Sequence, residues 1–331
     1  MWAWGKIQDM RKQPYRQPDP ISNEDDVSEI LPAHDDRIFK LLLTNEDSGL
    51  VLKSVVAAVI GRKVSKVLVR NNELPVDDVM EKQTRLDVNC VVDDGEQVDI
   101  EMQASRIAET GDDRHDNLKH KSLFYLCDLH SSQGMRGKSY AEVASTWQVT
   151  FCAYTIFPDD DRYLHVAKMR DEAGNVVTND ITMVFVELPK AERMIGKPLD
   201  ELSPLEMWAV FFSCTHRAKY RKIMNEIFKR NKEVAMAGKL LKSISKDERE
   251  RAIFRSRRMF QTDLESNLIT AEKRGIGIGE KRGEKRGEKR GEKRKSVEIA
   301  KALKANGVAV EIIAKATKLT PEEIKKLDGR K

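Results

Sequence analysis

The stretch RLDVNCVVDDGEQVDIEMQ, Arg85 to Gln103, decides how this chain is read. Apolar and polar residues alternate along it with a period of two, the pattern of a half-buried strand. Its polar positions include Asp87, Asn89, Asp99, Glu101 and Gln103, and Asp and Asn are poor strand formers. The tip, Asp93-Asp94-Gly95, suits a hairpin whose loop length fixes the register. A two-residue Asp94-Gly95 turn sets apolar side chains against polar ones across the ladder. A three-residue loop with Gly95 left-handed removes that conflict, placing Val92 opposite Glu96 and Asp87 opposite Glu101. Even positions (Leu86, Val88, Cys90, Val92, Val98, Ile100, Met102) then form an apolar face and odd positions a polar one, with Val91 the exception. Opposed residues on one face have Cβ atoms about 5 Å apart, so Asp87 and Glu101 repel unless positive charge lies between them. Two such carboxylates make half a shell for a hard divalent cation, Mg²⁺ above all. The plainer alternative is an amphipathic hairpin whose wet face happens to be acidic.

The 331 residues allow one large domain with accessories, or two domains. The chain carries 59 basic and 54 acidic residues, a net +5. Residues 280–295 hold nine Lys/Arg and four Glu, so the excess belongs to this tract and the rest is balanced. No apolar run approaches the ~20 residues of a membrane span. MWAWGKIQDMRKQ lacks the order and apolar segment of a secretory signal. The four cysteines, Cys90, Cys127, Cys152 and Cys214, are scattered with no Cys-x-x-Cys pair. This spacing argues for reduced core thiols in a cytoplasmic protein, and against a zinc site or disulfide framework.

Residues 1–30 read as a flexible polar extension, and residues 31–235 as the main domain. In the main domain, helical spacing over 31–60 puts Ile38, Leu41 and Leu42 on one face, and SKVLVR makes a first strand. The hairpin follows, then a helix over 112–133 with Leu118, Leu123, Leu126 and Leu129 inward. STWQVTFCAYTIF makes another strand, and a second hairpin turns at EAGN. Residues 236–278 continue as a helical extension. The tract at 279–295 repeats GEKR, stacking Glu over Glu and Lys over Lys at i,i+4 and adding a Gly per turn; this predicts a frayed helix or a solvated spacer. Residues 296–331 form a small helical, helix-turn-helix-like tail: Gly307 ends its first segment, and TPEE at 320–323 supplies a capping box.

A Gly-tipped hairpin with Asp on one strand and Glu-x-Gln on the next resembles the PD-(D/E)xK nuclease superfamily. More closely it resembles the recombination-promoting nuclease group of transposase-like proteins. HDDRIFK is similar to that group's opening Asp-x-x-Phe-Lys helix, with Asp36 at the acidic position. LFYLCDLHSSQGMRGKSYAEV resembles its helix leading to a Gly-x-x-Tyr turn, here Gly137 to Tyr140. The resemblance covers residues 31–240, with weaker likeness to the end. It implies an α/β, restriction-endonuclease-like core, a mixed central sheet flanked by helices, followed by a helical C-terminal region. It further implies a Mg²⁺-dependent (or Mn²⁺-dependent) DNA endonuclease in which Asp87 and Glu101 hold the metal and Asp36 adds a carboxylate. Gln103 stands where the superfamily usually has Lys; it can orient a water but cannot supply positive charge. DNA is the implied partner, no membrane is involved, and the C-terminal helices could build a homo-oligomer. The alternative on the same scaffold is a catalytically weak or inactive nucleic-acid-binding or assembly protein.

Other motifs weigh less. SQGMRGKS lacks the first glycine of a phosphate loop, because Ser132 stands there. His34 and His115 beside acids read as loop surface residues before they read as metal ligands. His130 and His216 fit helix surfaces or core edges. The aromatics of WQVTFCAY read as core, and the basic helix HRAKYRKIMNEIFKRNK as a solvated face or a phosphate-tracking one.

Overall fold

The computed structural model describes residues 30–70, 87–93, 95–104, 114–133 and 139–328. The extension over 1–29, Arg85, Leu86, Asp94 and Gly137 lie outside the described residues.

The helical spacing over 31–60 resolves into two helices. In α1 (Asp36–Thr44), the Asp35 carboxylate caps the Arg37 and Ile38 amides, and Ile38, Phe39, Leu42 and Leu43 are buried. Asn45 breaks the spiral with extended backbone. The second helix, α2 (Gly49–Ile60), ends on Gly61, whose φ of 78° suits glycine. Then come β1 (Val67–Val69), β2 (Val88–Val92), β3 (Glu96–Gln103), α3 (Arg114–Ser131), β4 (Thr146–Cys152), β5 (Leu164–Arg170) and β6 (Val176–Glu187). Helices complete the chain: α4 (Leu188–Ala191), α5 (Pro204–Cys214), α6 (Arg221–Arg230), α7 (Lys232–Lys246), α8 (Glu248–Ala305), α9 (Val310–Thr317) and α10 (Pro321–Lys325).

The strands form one sheet in the order β1-β2-β3-β4-β6-β5. β3, β4 and β6 run parallel, and the outer pairings are antiparallel. This is the mixed sheet with flanking helices that the sequence leads one to expect. Val88 pairs with Ile100 and Val92 with Glu96, the register of a three-residue loop. Gly95 is left-handed with φ 92°, and its N–H donates to the Val92 carbonyl at 2.8 Å.

The even face of the hairpin (Val88, Cys90, Val92, Val98, Ile100, Met102) enters the main core with α1, α2, α5 and α7. Phe39, Phe151 and Phe212 meet there with ring centroids 5.1–5.8 Å apart. Each such ring removes apolar area worth about 1.5–3 kcal/mol from water. The expectation of a wet odd face is wrong. Asn89, Asp99 and Glu101 are all buried, because α3 lies across that side. Ser122 of α3 meets Thr150 at 3.3 Å and His130 meets Thr146 at 2.9 Å. The rows on this side run Asp99–Gln148–Met183 and Glu101–Thr150–Phe185, polar near β3 and apolar towards β6. Leu118 packs on the apolar end with Cys152, Tyr154, Ile156 and Phe185.

Three smaller expectations also change. Leu123 is exposed, because the stripe Leu118, Ser122, Leu126, Leu129 turns it outward. Cys127 is exposed, whereas the other three cysteines are buried. His115 stands in the first turn of α3 rather than in a loop.

The chain divides into two compact units, Met1–Arg257 and Arg258–Lys331. In the second, Ala300, Ile313, Leu319 and Ile324 make a small core. Gly307 is left-handed after α8, and Thr320 and Glu323 form the reciprocal cap of α10. The GEKR tract is helical within α8, not a spacer. Lys stands three residues before the next Glu in the first three of the four repeats, an attractive spacing that offsets the repulsive i,i+4 pairs.

Candidate active site

Asp87 immediately precedes β2, and the hairpin register carries it opposite Glu101 of β3. The Met102 amide donates to the Asp87 carboxylate at 3.3 Å, fixing its side of the ladder. Burial pushes the Asp87 pKa up to about 7, with the charges of Glu101 and Asp36 adding to the rise. Burial likewise raises Glu101, although the Lys121 ammonium works against the rise. Two carboxylates that each hold a proton too readily are short of positive charge.

α3 brings that charge from an element the sequence reading did not assign to the site. Lys121 Nζ lies 2.8 Å from Glu101 Oε2, and 4.9 Å from the centre of the Tyr125 ring one turn on. Burial works against the Lys121 ammonium, but Glu101 outweighs it and the pKa rises. A readable signal lay in the helix itself. Ser122, a small polar residue in an otherwise leucine stripe, says that α3 faces a polar surface, and Lys121 adjoins it.

Asp99 shares the odd face and is fully buried. Its Oδ2 accepts from Gln148 Nε2 at 2.8 Å, while Oδ1 has no hydrogen-bond donor among the described residues. Burial, and then Glu101, raises its pKa well above the ordinary carboxylate value.

The remaining expected site residues are placed as follows. Asp36 is the first residue of α1, and its Oδ2 lies 2.7 Å from Arg257 Nη2 of α8. Its charge reaches both Asp87 and Glu101, and that of Lys40, one turn further along α1, reaches Glu101. Gln103 follows Glu101 by two residues on the same face and pairs with Cys152. His34 faces His216 with ring centroids 5.0 Å apart, and its Nδ1 meets the Phe212 carbonyl at 3.1 Å. Among the described residues no group of three or more His, Cys, Asp or Glu is arranged around one point. The donor set is therefore two converging carboxylates, with Asp36 nearby and engaged elsewhere. That set fits Mg²⁺, which binds through one or two carboxylates and fills its shell with water and substrate phosphate.

The model of the PD-(D/E)XK nuclease family transposases matches residues 33–271. The chain belongs to that family. Searches of curated proteins and of solved structures find no match for it. Within a PD-(D/E)XK nuclease family transposase, the Asp87–Glu101 pair falls on the hairpin and Asp36 on the first helix of the matched region. Membership supports nuclease-like function, with DNA as the substrate that such a family implies and divalent ions as its general requirement. No helix among the described residues is long and apolar enough to cross a membrane.

Proposed function

We propose that the protein is a Mg²⁺-dependent DNA endonuclease, transposase-like, that hydrolyses phosphodiester bonds. The observation that carries this reading is the register that sets Asp87 against Glu101, both desolvated and both raised in pKa. Asp87 and Glu101 would hold the cation as a pair of ionised carboxylates. When bound, the cation lowers the pKa of a water and offsets charge building on the phosphate. Gln103 would orient that water through its side-chain amide, accepting or donating one hydrogen bond without changing charge. Asp36, once released by Arg257, adds a third carboxylate to the rim. In the balanced reaction a bond forms from the water oxygen to phosphorus, and a bond from phosphorus to a sugar oxygen breaks. The water gives a proton to solvent, and the leaving oxygen takes one.

Plasmid cleavage tests the reading. Wild-type protein should nick or cut with Mg²⁺ or Mn²⁺, and lose the activity with EDTA or with Asp87→Ala. Equal cleavage by Asp87→Ala assigns the activity to another site or a contaminant.

The second reading is a nucleic-acid-binding or assembly protein on the same scaffold. Gln103 and the Asp36–Arg257 pair favour it, since both subtract from the catalytic set. On that reading DNA binding survives Asp87→Ala, falls steeply with salt, and no metal supports cutting. Assembly through the tail would draw on Ile299 and Ile312, both more than half exposed. Deleting residues 271–331 and measuring mass together with DNA affinity separates assembly from binding.

A further inference from the structure

The nuclease reading leaves one requirement unmet by the residues so far assigned. A phosphoryl group under attack gathers negative charge, and a fixed ammonium or guanidinium aimed at it is among the largest contributions a site can make. On β3 the position two beyond Glu101 is Gln103, which carries no charge. Two lysines approach Glu101 from elsewhere. Lys40 acts on it only through space from α1, whereas Lys121 reaches it directly at 2.8 Å from α3.

Lys121 is also held in place. Ser122–Thr150 and His130–Thr146 contacts pin α3 to β4 beside it and further along the helix, and Tyr125 lies beneath its ammonium. A helix anchored to the sheet delivers a side chain as reproducibly as a strand does. The Lys121 side chain is 38% exposed against 5% for Glu101, so Lys121 is the partner of the pair that solvent reaches.

We propose that Lys121 is the site's catalytic cation, carried on the helix and directed at the reacting phosphate of DNA, with Tyr125 as its positioning residue. This rests on the nuclease reading above. Lys121 keeps its protons throughout and makes no bond to substrate. In the resting protein its ammonium occupies Glu101. With a divalent cation held at Glu101, that ammonium would be left to pair with the phosphate. The same placement makes Lys121 a competitor of the metal for Glu101, so its removal has opposite effects on metal binding and on cleavage.

The experiment measures three quantities on the full chain. They are Mn²⁺ affinity by calorimetry without DNA, affinity for an uncut duplex in Ca²⁺, and single-turnover cleavage in Mn²⁺. Lys121→Met should bind Mn²⁺ at least as tightly as wild type and retain duplex affinity, while cleavage falls by about 100-fold or more, the cost of losing one charge-stabilising donor. Lys121→Arg should recover part of the rate. Gln103→Lys placed in the Lys121→Met background should also recover part, by returning an ammonium to the neighbouring strand. Lys40→Met should cut faster than Lys121→Met. The proposal is overturned if Lys121→Met cuts at the wild-type rate, if it loses Mn²⁺ binding, or if neither Arg at 121 nor the relocated lysine restores cleavage. Wild-type protein that cuts while Lys121→Met also cuts leaves the nuclease reading intact and removes only this residue. Wild-type protein that neither binds Mn²⁺ nor cuts removes both.

Discussion

Asp36 and Arg257 stand 221 residues apart in sequence and form an ion pair of 2.7 Å. With Arg37–Glu250, also 2.7 Å, it fastens the start of α8 to α1. Both partners of the Asp36 pair are about 40% exposed, so it contributes little to stability, about 0–1 kcal/mol. Its effect falls instead on the carboxylate rim. Arg257→Gln should tighten Mn²⁺ binding by freeing Asp36, while lowering the melting temperature by no more than about 2–4 °C. Calorimetry and thermal unfolding measure the two. Weaker metal binding in the variant would take Asp36 out of the metal's surroundings.

The pH dependence follows from Asp87. Its folded pKa of about 7 lies above the ordinary 3.8, so between these values the folded protein holds a proton that the unfolded chain lacks. The favourable contribution is complete below about pH 4 and is lost as pH rises through 7. Glu101 and Asp99 shift in the same direction. Metal-free wild type should therefore lose thermal stability between pH 5 and 8 more steeply than Asp87→Asn, and Mg²⁺ should restore it for wild type alone. Because proton and metal compete for Asp87, metal affinity and cleavage should both fall as pH drops below about 7. A pH-independent affinity across that range would contradict the assignment.

Asp99 separates a buried acid from a metal ligand. Asp99→Asn keeps an acceptor for the Gln148 amide and should leave folding and cation affinity close to wild type. Asp99→Ala strands the Gln148 amide and should cost about 1–3 kcal/mol in urea unfolding. Loss of Mn²⁺ binding in Asp99→Asn would move Asp99 into the metal's shell.

Glu187, at the end of β6 and fully buried, accepts from the amides of Ile156 and Phe157, from His165 and from Lys190. It closes the 153–163 segment over the sheet. Glu187→Gln leaves the Lys190 ammonium, whose side chain is 7% exposed, without its anion. Urea unfolding should show a loss of about 3–5 kcal/mol. A neutral outcome would mean that the Phe157 and Asp160 carbonyls satisfy Lys190 on their own.

The hairpin was legible because three local facts agree: a period of two, a Gly able to turn left-handed, and a register conflict that only one loop length removes. From these the opposition of Asp87 and Glu101 followed before any coordinates. Burial of the odd face did not follow, since alternation reports polarity and not exposure. A polar face is covered whenever a partner supplies hydrogen bonds, as Ser122 and His130 do. Leu123 was misplaced by identity, where the helical angle from Leu118 turns it out. Lys121 was missed because its partner lies 20 residues back, on a different element; Ser122 beside it marks the polar side of α3 but does not name the partner. Arg257 was hidden for the same reason across a far longer separation.

On the proposed reading Asp87 and Glu101 share one divalent cation. Mn²⁺ titration calorimetry of wild type, Asp87→Asn and Glu101→Gln at pH 8 tests it most directly. Wild type should show one site, and each variant a loss of affinity of tenfold or more, about 1.4 kcal/mol or more. Equal affinity in all three proteins would contradict it.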